Sequence, residues 1–244
     1  MKLCRIFNVD VKIHWTTSVL ILTIFSSAFS YVQNVQLNAS LLSSLLATFL
    51  IIVGLLLSVL LHEFGHILVG RKYGVHFKEV MLHVFGGAAV MESKIPNPKA
   101  ELFMASAGPL VSLFLSFILF FTAIPFALFD TTMPVVVLSV LAQINLSLFI
   151  FNLCLCAFPL DGGRILRALL WYKFGYKKAT VVSTHVGKCL GWALAGCGVS
   201  IMLGVNVIFF GTGIGSGVWI LMMGLMLNLA ASLELEKVKN EYNC

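Results

Sequence analysis

The sequence predicts an all-α polytopic membrane protein with six transmembrane helices and a small β-hairpin on the cytoplasmic side. Of its 244 residues, 59% are hydrophobic and only 11% are charged, and the mean hydropathy of +1.00 lies above that of soluble domains. A bilayer core about 30 Å thick needs about 20 apolar residues in a helix. Six apolar runs approach or exceed this length: 14–32, 41–70, 101–129, 134–158, 184–205 and 208–230.

The distribution of basic residues predicts how these runs cross the membrane. If both termini lie on one side, all 16 Lys and Arg residues fall in the terminal segments, in two same-side loops or at a loop edge. None falls in the three short connections on the opposite side. Because cytoplasmic loops carry an excess of Lys and Arg, we expect a multi-pass protein of the cell membrane with both termini in the cytoplasm. No basic soluble face is visible, so the net charge of +6 is interpreted as a topology signal. Membrane lipid is an expected partner, and neither nucleic acid nor nucleotide is expected.

The two same-side loops are long enough to fold. Residues 73–99 contain short apolar and β-branched runs broken by Gly86 and Gly87, which predicts a small hairpin at about 80–91. Residues 161–180 place basic residues between apolar residues at helical spacing, as in an interfacial helix. No separate soluble domain is expected, so residues 1–244 are predicted to form one membrane-embedded domain.

The sequence LLHEFGHILVG, residues 60–70, places two histidines and a glutamate inside the second apolar run. Positions i and i+4 lie about 40° apart around a helix, so His62 and His66 share a face and can bind one zinc ion. Glu63 lies beside them as a possible base. A charged side chain near the bilayer centre costs about 3 kcal/mol on insertion scales, whereas structural zinc contributes on the order of 10 kcal/mol. Metal binding is therefore favoured over the alternative that both histidines are satisfied core residues.

A third ligand should come from the same side of the membrane, because catalytic zinc sites usually have three protein ligands and one open position. Asp161, in FPLDGGR at the cytoplasmic end of the fourth run, is the candidate. On spacing alone it could also be a loop aspartate at a helix boundary. The remaining histidines lack ligand spacing and are expected to be interfacial or structural: His14, His76, His83 and His185.

Five motifs together resemble the site-2 protease family of intramembrane zinc metalloproteases: HEFGH, FGGAAVM, SAGPLVS, FN and FPLDGGRILRA. The similarity runs from about VDVKIHW to KKATVVSTHVGK. With no PDZ domain between the second and third runs and no CBS pair after the sixth, the chain is similar to the compact six-span members. The resemblance implies a metalloprotease domain with its catalytic core at about 41–165. It also implies one zinc ion per chain, with His62, His66 and Asp161 as ligands and Glu63 as general base.

The function implied by this resemblance is zinc-dependent intramembrane endopeptidase activity in regulated intramembrane proteolysis, with Glu63 activating a zinc-bound water. The expected substrate is a single-span transmembrane protein that unwinds locally. Once extended, it could pair with a strand edge of the 80–91 hairpin, or that hairpin could be a structural plug. A metal transporter and a non-catalytic scaffold that binds transmembrane helices are the alternatives. The outer connections carry no His or Glu for a metal pathway, and the presence of Glu63 argues against a scaffold.

One departure from the family pattern concerns Asn152. The family commonly reads N-x-x-P-x-x-x-x-D-G, whereas here Asn152 precedes Asp161 by nine residues and Cys156 occupies the usual proline position. We expect a bulge near residues 154–156 to absorb the added residue, so that the Asn152 amide stabilises the oxyanion. A packing role for Asn152 is the alternative.

Pairs of small residues at i and i+4 in the last two runs raise the question of a homodimer. Gly187/Gly191 and Gly213/Gly217 have the GxxxG spacing that lets helices approach closely. Such pairs could join two copies of the chain or pack helices within one subunit.

Overall fold

The computed structural model describes residues 2–35, 40–83, 86–129, 131–154, 158–206 and 213–242. In these ranges the chain forms four strands and six helices, in the following order. They are β1 (Lys2–Ile6), β2 (Val9–Ile13), α1 (Thr17–Val35), α2 (Leu41–Lys72), β3 (Phe77–His83), β4 (Gly86–Met91), α3 (Pro98–Leu128), α4 (Thr132–Cys154), α5 (Asp161–Met202) and α6 (Ile214–Tyr242).

Five of these six helices are long and apolar enough to cross a membrane: α1, α2, α3, α4 and α6. The helix outside this set, α5, is interrupted at Gly175, whose φ of 77° and ψ of 161° are not helical. The predicted interfacial helix, residues 161–180, spans this interruption, and the part of α5 after Gly175 contains most of the predicted run 184–205. The predicted class of helical membrane protein with a small β element is therefore confirmed.

Local sequence signals explain where two of the long helices begin. Ser40 caps α2, because its hydroxyl accepts a hydrogen bond from the backbone N–H of Ser43 at 3.2 Å. Asn97 caps α3 in the same way, with its side-chain oxygen 2.8 Å from the Ala100 nitrogen. Pro98 then takes the first helical position, where its missing N–H costs nothing.

The β element is a four-stranded sheet in the order β1-β2-β3-β4, larger than the predicted hairpin. The outer pairs are antiparallel, and β2 and β3 pair in parallel. Phe7 and Asn8 close the β1–β2 hairpin with φ values of 46° and 61°, as a tight two-residue turn requires. Sequence reasoning found the β3–β4 hairpin and missed β1 and β2, which it treated as a basic terminal segment.

The chain forms two compact units, residues 1–96 with 107–150 and residues 97–106 with 151–244. In the first unit, side chains of α1, α2 and α4 form an apolar core that includes Val32, Ile51 and Leu141. A buried polar contact lies among these helices, where the Asn145 amide donates to Ser58 Oγ at 2.9 Å. One membrane-embedded domain over residues 1–244 stays a prediction.

In the second unit, α5 and α6 pack through small residues. A Cβ placed on Gly191 would lie 2.9 Å from the carbonyl oxygen of Gly224, and one on Gly217 would lie 2.7 Å from that of Gly198. These contacts are tighter than side chains allow, so glycine lets the two backbones touch. Gly191 and Gly217 therefore serve packing within the subunit, and the homodimer stays a prediction.

Candidate metal centre

His62 and His66 point toward each other from one face of α2. Both side chains are buried, and their Nε2 atoms lie 3.2 Å apart. When two nitrogens bind the same tetrahedral zinc ion, each at about 2.0–2.1 Å, they lie about 3.3–3.4 Å from each other. The pair therefore has the separation that a shared zinc ion requires, which agrees with the predicted i, i+4 arrangement.

Ser112 fixes the orientation of the His62 ring. This α3 residue is fully buried, and its hydroxyl lies 2.9 Å from His62 Nδ1. Metal-binding histidines almost always use the second ring nitrogen in such a hydrogen bond, which sets the tautomer and leaves the other nitrogen for the metal. Ser112 belongs to the SAGPLVS motif, but no spacing rule in the sequence assigned it this contact.

Gly108, also on α3, provides the space in front of the two histidines. A Cβ at this position would lie 2.2 Å from His66 Nε2 and 2.8 Å from His62 Nε2. Gly65 on α2 approaches the same part of α3, since its Cβ would lie 3.0 Å from the Ala107 carbonyl oxygen. The imidazole nitrogens therefore occupy space that is open to them only because position 108 has no side chain.

Glu63 is buried beside the histidines and packs against the sheet. A Cβ on Gly87 of β4 would lie 2.5 Å from Glu63 Cγ and 3.0 Å from Glu63 Oε1. His83, at the end of β3, interacts electrostatically with this carboxylate. Burial lowers the pKa of His83, whereas the charge of Glu63 acts in the opposite direction. Sequence reasoning missed both neighbours because they come from a strand pair remote in sequence.

Asp161 is the first residue of α5, in the second unit. Its side chain is buried, with 7% of the residue exposed. As ligand types, His62, His66 and Asp161 offer two imidazole nitrogens and one carboxylate oxygen. Such a donor set suits zinc, and carboxylate oxygen is also found in catalytic zinc sites.

Asn152 lies in the last turn of α4 and is half-buried. The helix extends to Cys154. Of the bulge predicted near 154–156, residues 155 and 156 lie outside the described residues. The catalytic role of Asn152 therefore stays a prediction.

Comparison with known proteins places these residues in a family. Residues 50–135 and 127–194 match Peptidase family M50, and together they include both histidines, Glu63 and Asp161. This chain belongs to peptidase family M50. Within the family, it is 34% identical over 208 residues to a zinc metalloprotease of Methanocaldococcus jannaschii, covering 85% of this chain and 56% of that protein. It is 35% identical over 193 residues to Rip3 of Mycobacterium tuberculosis, covering 78% and 47%.

The fold of this M50 member is also similar to a solved structure. A site-2 protease from Methanocaldococcus jannaschii superposes with a TM-score of 0.63 at 29% identity, covering 96% of this chain and 94% of that one. The predicted membership of the site-2 protease family is thereby confirmed. The chain spans about half the length of the curated relatives it matches.

Proposed function

We propose that this chain is a zinc-dependent intramembrane endopeptidase that cleaves transmembrane segments of membrane-protein substrates. The observation that carries the proposal is the HExxH pair, His62 and His66, converging at 3.2 Å inside α2, a helix long and apolar enough to cross a membrane. Membership of a peptidase family supports hydrolysis of peptide bonds. A buried centre on a membrane-spanning helix suits substrates that are themselves within the membrane.

The proposed ligands of a single zinc ion are His62, His66 and Asp161. The close packing of both histidine rings against Gly108 and the hydrogen bond between His62 Nδ1 and Ser112 support this assignment for the histidines. Burial and residue type support it for Asp161. When bound, zinc acts as a Lewis acid that polarises the scissile carbonyl and makes a water molecule more acidic.

Glu63 is proposed to carry out the proton transfers. Its carboxylate accepts a proton from the attacking water and then donates it to the leaving amine. The packing of Gly87 on the Glu63 side chain limits the rotamers of the carboxylate, which supports a fixed direction for this transfer. Asn152 is proposed to donate a hydrogen bond from its amide to the oxyanion that forms during attack.

The β4 strand is proposed to present the substrate backbone to Glu63. Within the described sheet, β4 pairs with β3 alone, so its other edge is free to accept an added strand. The same strand lies against Glu63 through Gly87. A peptide paired to this edge would be extended, the conformation in which its carbonyls are no longer protected by helical hydrogen bonds. This contact favours substrate presentation over a structural plug.

The proposed setting is a cell membrane, with both termini in the cytoplasm and lipid around the apolar helices. The positions of the 16 Lys and Arg residues support this orientation. The proposed partner is a single-span transmembrane protein.

Cleavage of a single-span peptide by purified protein tests the proposal. The wild type should cut within the apolar stretch of the peptide, as fragment masses would show. Glu63→Gln should abolish cleavage and keep the zinc content, because glutamine cannot accept the proton but leaves the ligands in place. Glu236→Gln is the matched control, since Glu236 is exposed on α6, and it should cleave normally.

The other function classes give different results in the same assay. A transporter would move zinc across vesicle membranes with Glu63→Gln as well as with wild type, and neither would cut the peptide. A scaffold would bind the peptide and leave it intact. Cleavage by Glu63→Gln at the wild-type rate would remove Glu63 from the mechanism.

A further inference from the structure

Arg167 is a buried cation on α5, six residues after Asp161. Only 3% of the residue is exposed. Its Nε donates to Glu101 Oε1 of α3 at 2.7 Å, and its Nη1 donates to Glu234 Oε1 of α6 at 2.9 Å. Glu101 is fully buried. One guanidinium therefore joins three helices of the second unit.

The same guanidinium stacks on two aromatic rings that flank the first part of α5. It lies 4.8 Å from the ring centroid of Phe158 and 5.2 Å from that of Tyr176. Phe158 comes three residues before Asp161, and Tyr176 directly follows the interruption of α5 at Gly175. Arg167 thus contacts the segment that leads into Asp161 as well as the helix that continues from it.

The Phe158 backbone is held on a further side by Gly187. A Cβ on Gly187 would lie 2.6 Å from the Phe158 carbonyl oxygen and 2.9 Å from its nitrogen. Phe158 is therefore confined between the Arg167 side chain and the second part of α5. If Arg167 moved, Phe158 would lose its contact with the guanidinium, and the segment that leads into Asp161 would be held less firmly.

We propose that Arg167 is a positioning residue, which sets the direction of the Asp161 carboxylate for metal binding. The inference rests on the proposed function, because it takes Asp161 to be the third ligand. Arginine suits the task because its planar fork can bond two carboxylates in fixed directions and stack on a ring at once. Lysine keeps the charge and lacks this geometry. Groups that orient metal ligands typically contribute about 10- to 100-fold to metal affinity.

The first test is the metal affinity of Arg167→Lys. Affinity for Zn²⁺ is measured by competition with a chelator, and the visible spectrum of Co²⁺ reports the coordination geometry. We expect binding about 10-fold or more weaker than wild type, with an altered Co²⁺ spectrum. Arg5→Lys makes the same chemical change at an exposed position of β1 and should bind like wild type. Wild-type affinity and spectrum in Arg167→Lys would overturn the inference.

A double-mutant cycle with Asp161→Ala separates positioning from general support of the fold. If Arg167 acts through Asp161, Arg167→Lys should cause no further loss of Co²⁺ affinity in the Asp161→Ala background. An equal loss in both backgrounds would contradict the proposal. Wild-type metal affinity in Asp161→Ala alone would instead refute the proposed ligand set, which is a failure of the proposed function.

Glu234→Gln gives an independent test if Arg167→Lys does not yield folded protein. It keeps Arg167 paired with Glu101 and replaces the charged acceptor on α6 by a neutral one. We expect metal binding several-fold weaker with an unchanged melting temperature. Unchanged metal affinity would overturn the inference here too.

Discussion

Gly108→Ala should remove the metal site while leaving the protein folded. The added Cβ would lie 2.2 Å from His66 Nε2, more than about 1 Å inside an ordinary carbon–nitrogen contact. Overpacking of this kind costs about 1–3 kcal/mol, and replacing glycine by alanine inside a helix returns about 1 kcal/mol. The net loss of about 0–2 kcal/mol is small enough for the fold to survive. The overlap is relieved when the His66 ring turns away, which removes one ligand.

Zinc content and melting temperature, measured on the same purified sample, check this expectation. Gly108→Ala should lose zinc almost completely and lose peptide cleavage with it. Gly196→Ala is the matched control, because a Cβ on that α5 glycine meets nothing within 4 Å, and it should keep both zinc and activity. Full zinc occupancy in Gly108→Ala would refute the reasoning that the metal lies in front of position 108.

Three further substitutions or labels test separate parts of the site and the topology. Ser112→Ala should weaken zinc binding about 10-fold, since the His62 ring loses its orienting hydrogen bond. Competition with a chelator measures the zinc affinity. An affinity equal to that of the wild type would show that packing alone orients the ring. Asn152→Ala should lower turnover on the order of 100-fold with zinc content unchanged, whereas a change below about threefold would favour a packing role. Cys4, which is exposed, should react with a membrane-impermeant thiol reagent only after the cytoplasmic face is opened. Its labelling in intact cells would contradict the proposed orientation.

The long helices could be predicted from sequence because their signal is local. The run 41–70 corresponds to α2 at Leu41–Lys72, and the run 101–129 to α3 at Pro98–Leu128. In both, the apolar run predicts the length of the helix and an N-capping residue, Ser40 or Asn97, marks its start. Basic residues in the last turn mark the end of α2. By contrast, β2 pairs with β3 across more than 60 residues of sequence, with Val11 opposite Val80. No periodicity within a five-residue strand specifies such a partner, so the sheet was predicted only as its more obvious hairpin.

In the metal centre, too, some features could be predicted from local sequence, whereas others depend on tertiary contacts. The histidine pair follows from one turn of one helix, so the i, i+4 spacing was enough to predict it. The contacts of Ser112 with His62 and of Gly87 with Glu63 depend on how α3 and β4 pack on α2. A single sequence gives no measure of that packing. The motifs SAGPLVS and FGGAAVM marked the right segments without revealing what their residues touch.

Two adjacent glycines, Gly86 and Gly87, show why a motif alone leaves this question open. Gly86 has a φ of 116° and no atom near the position of a Cβ, so glycine is needed there for its backbone conformation. Gly87 has no such backbone requirement, but its missing Cβ leaves room for the Glu63 side chain. Gly108, on α3, leaves room for the nitrogens of His62 and His66, at a cost in helix propensity of about 1 kcal/mol. Two of these three glycines are thus explained by side chains of the metal centre that lie where a Cβ would be.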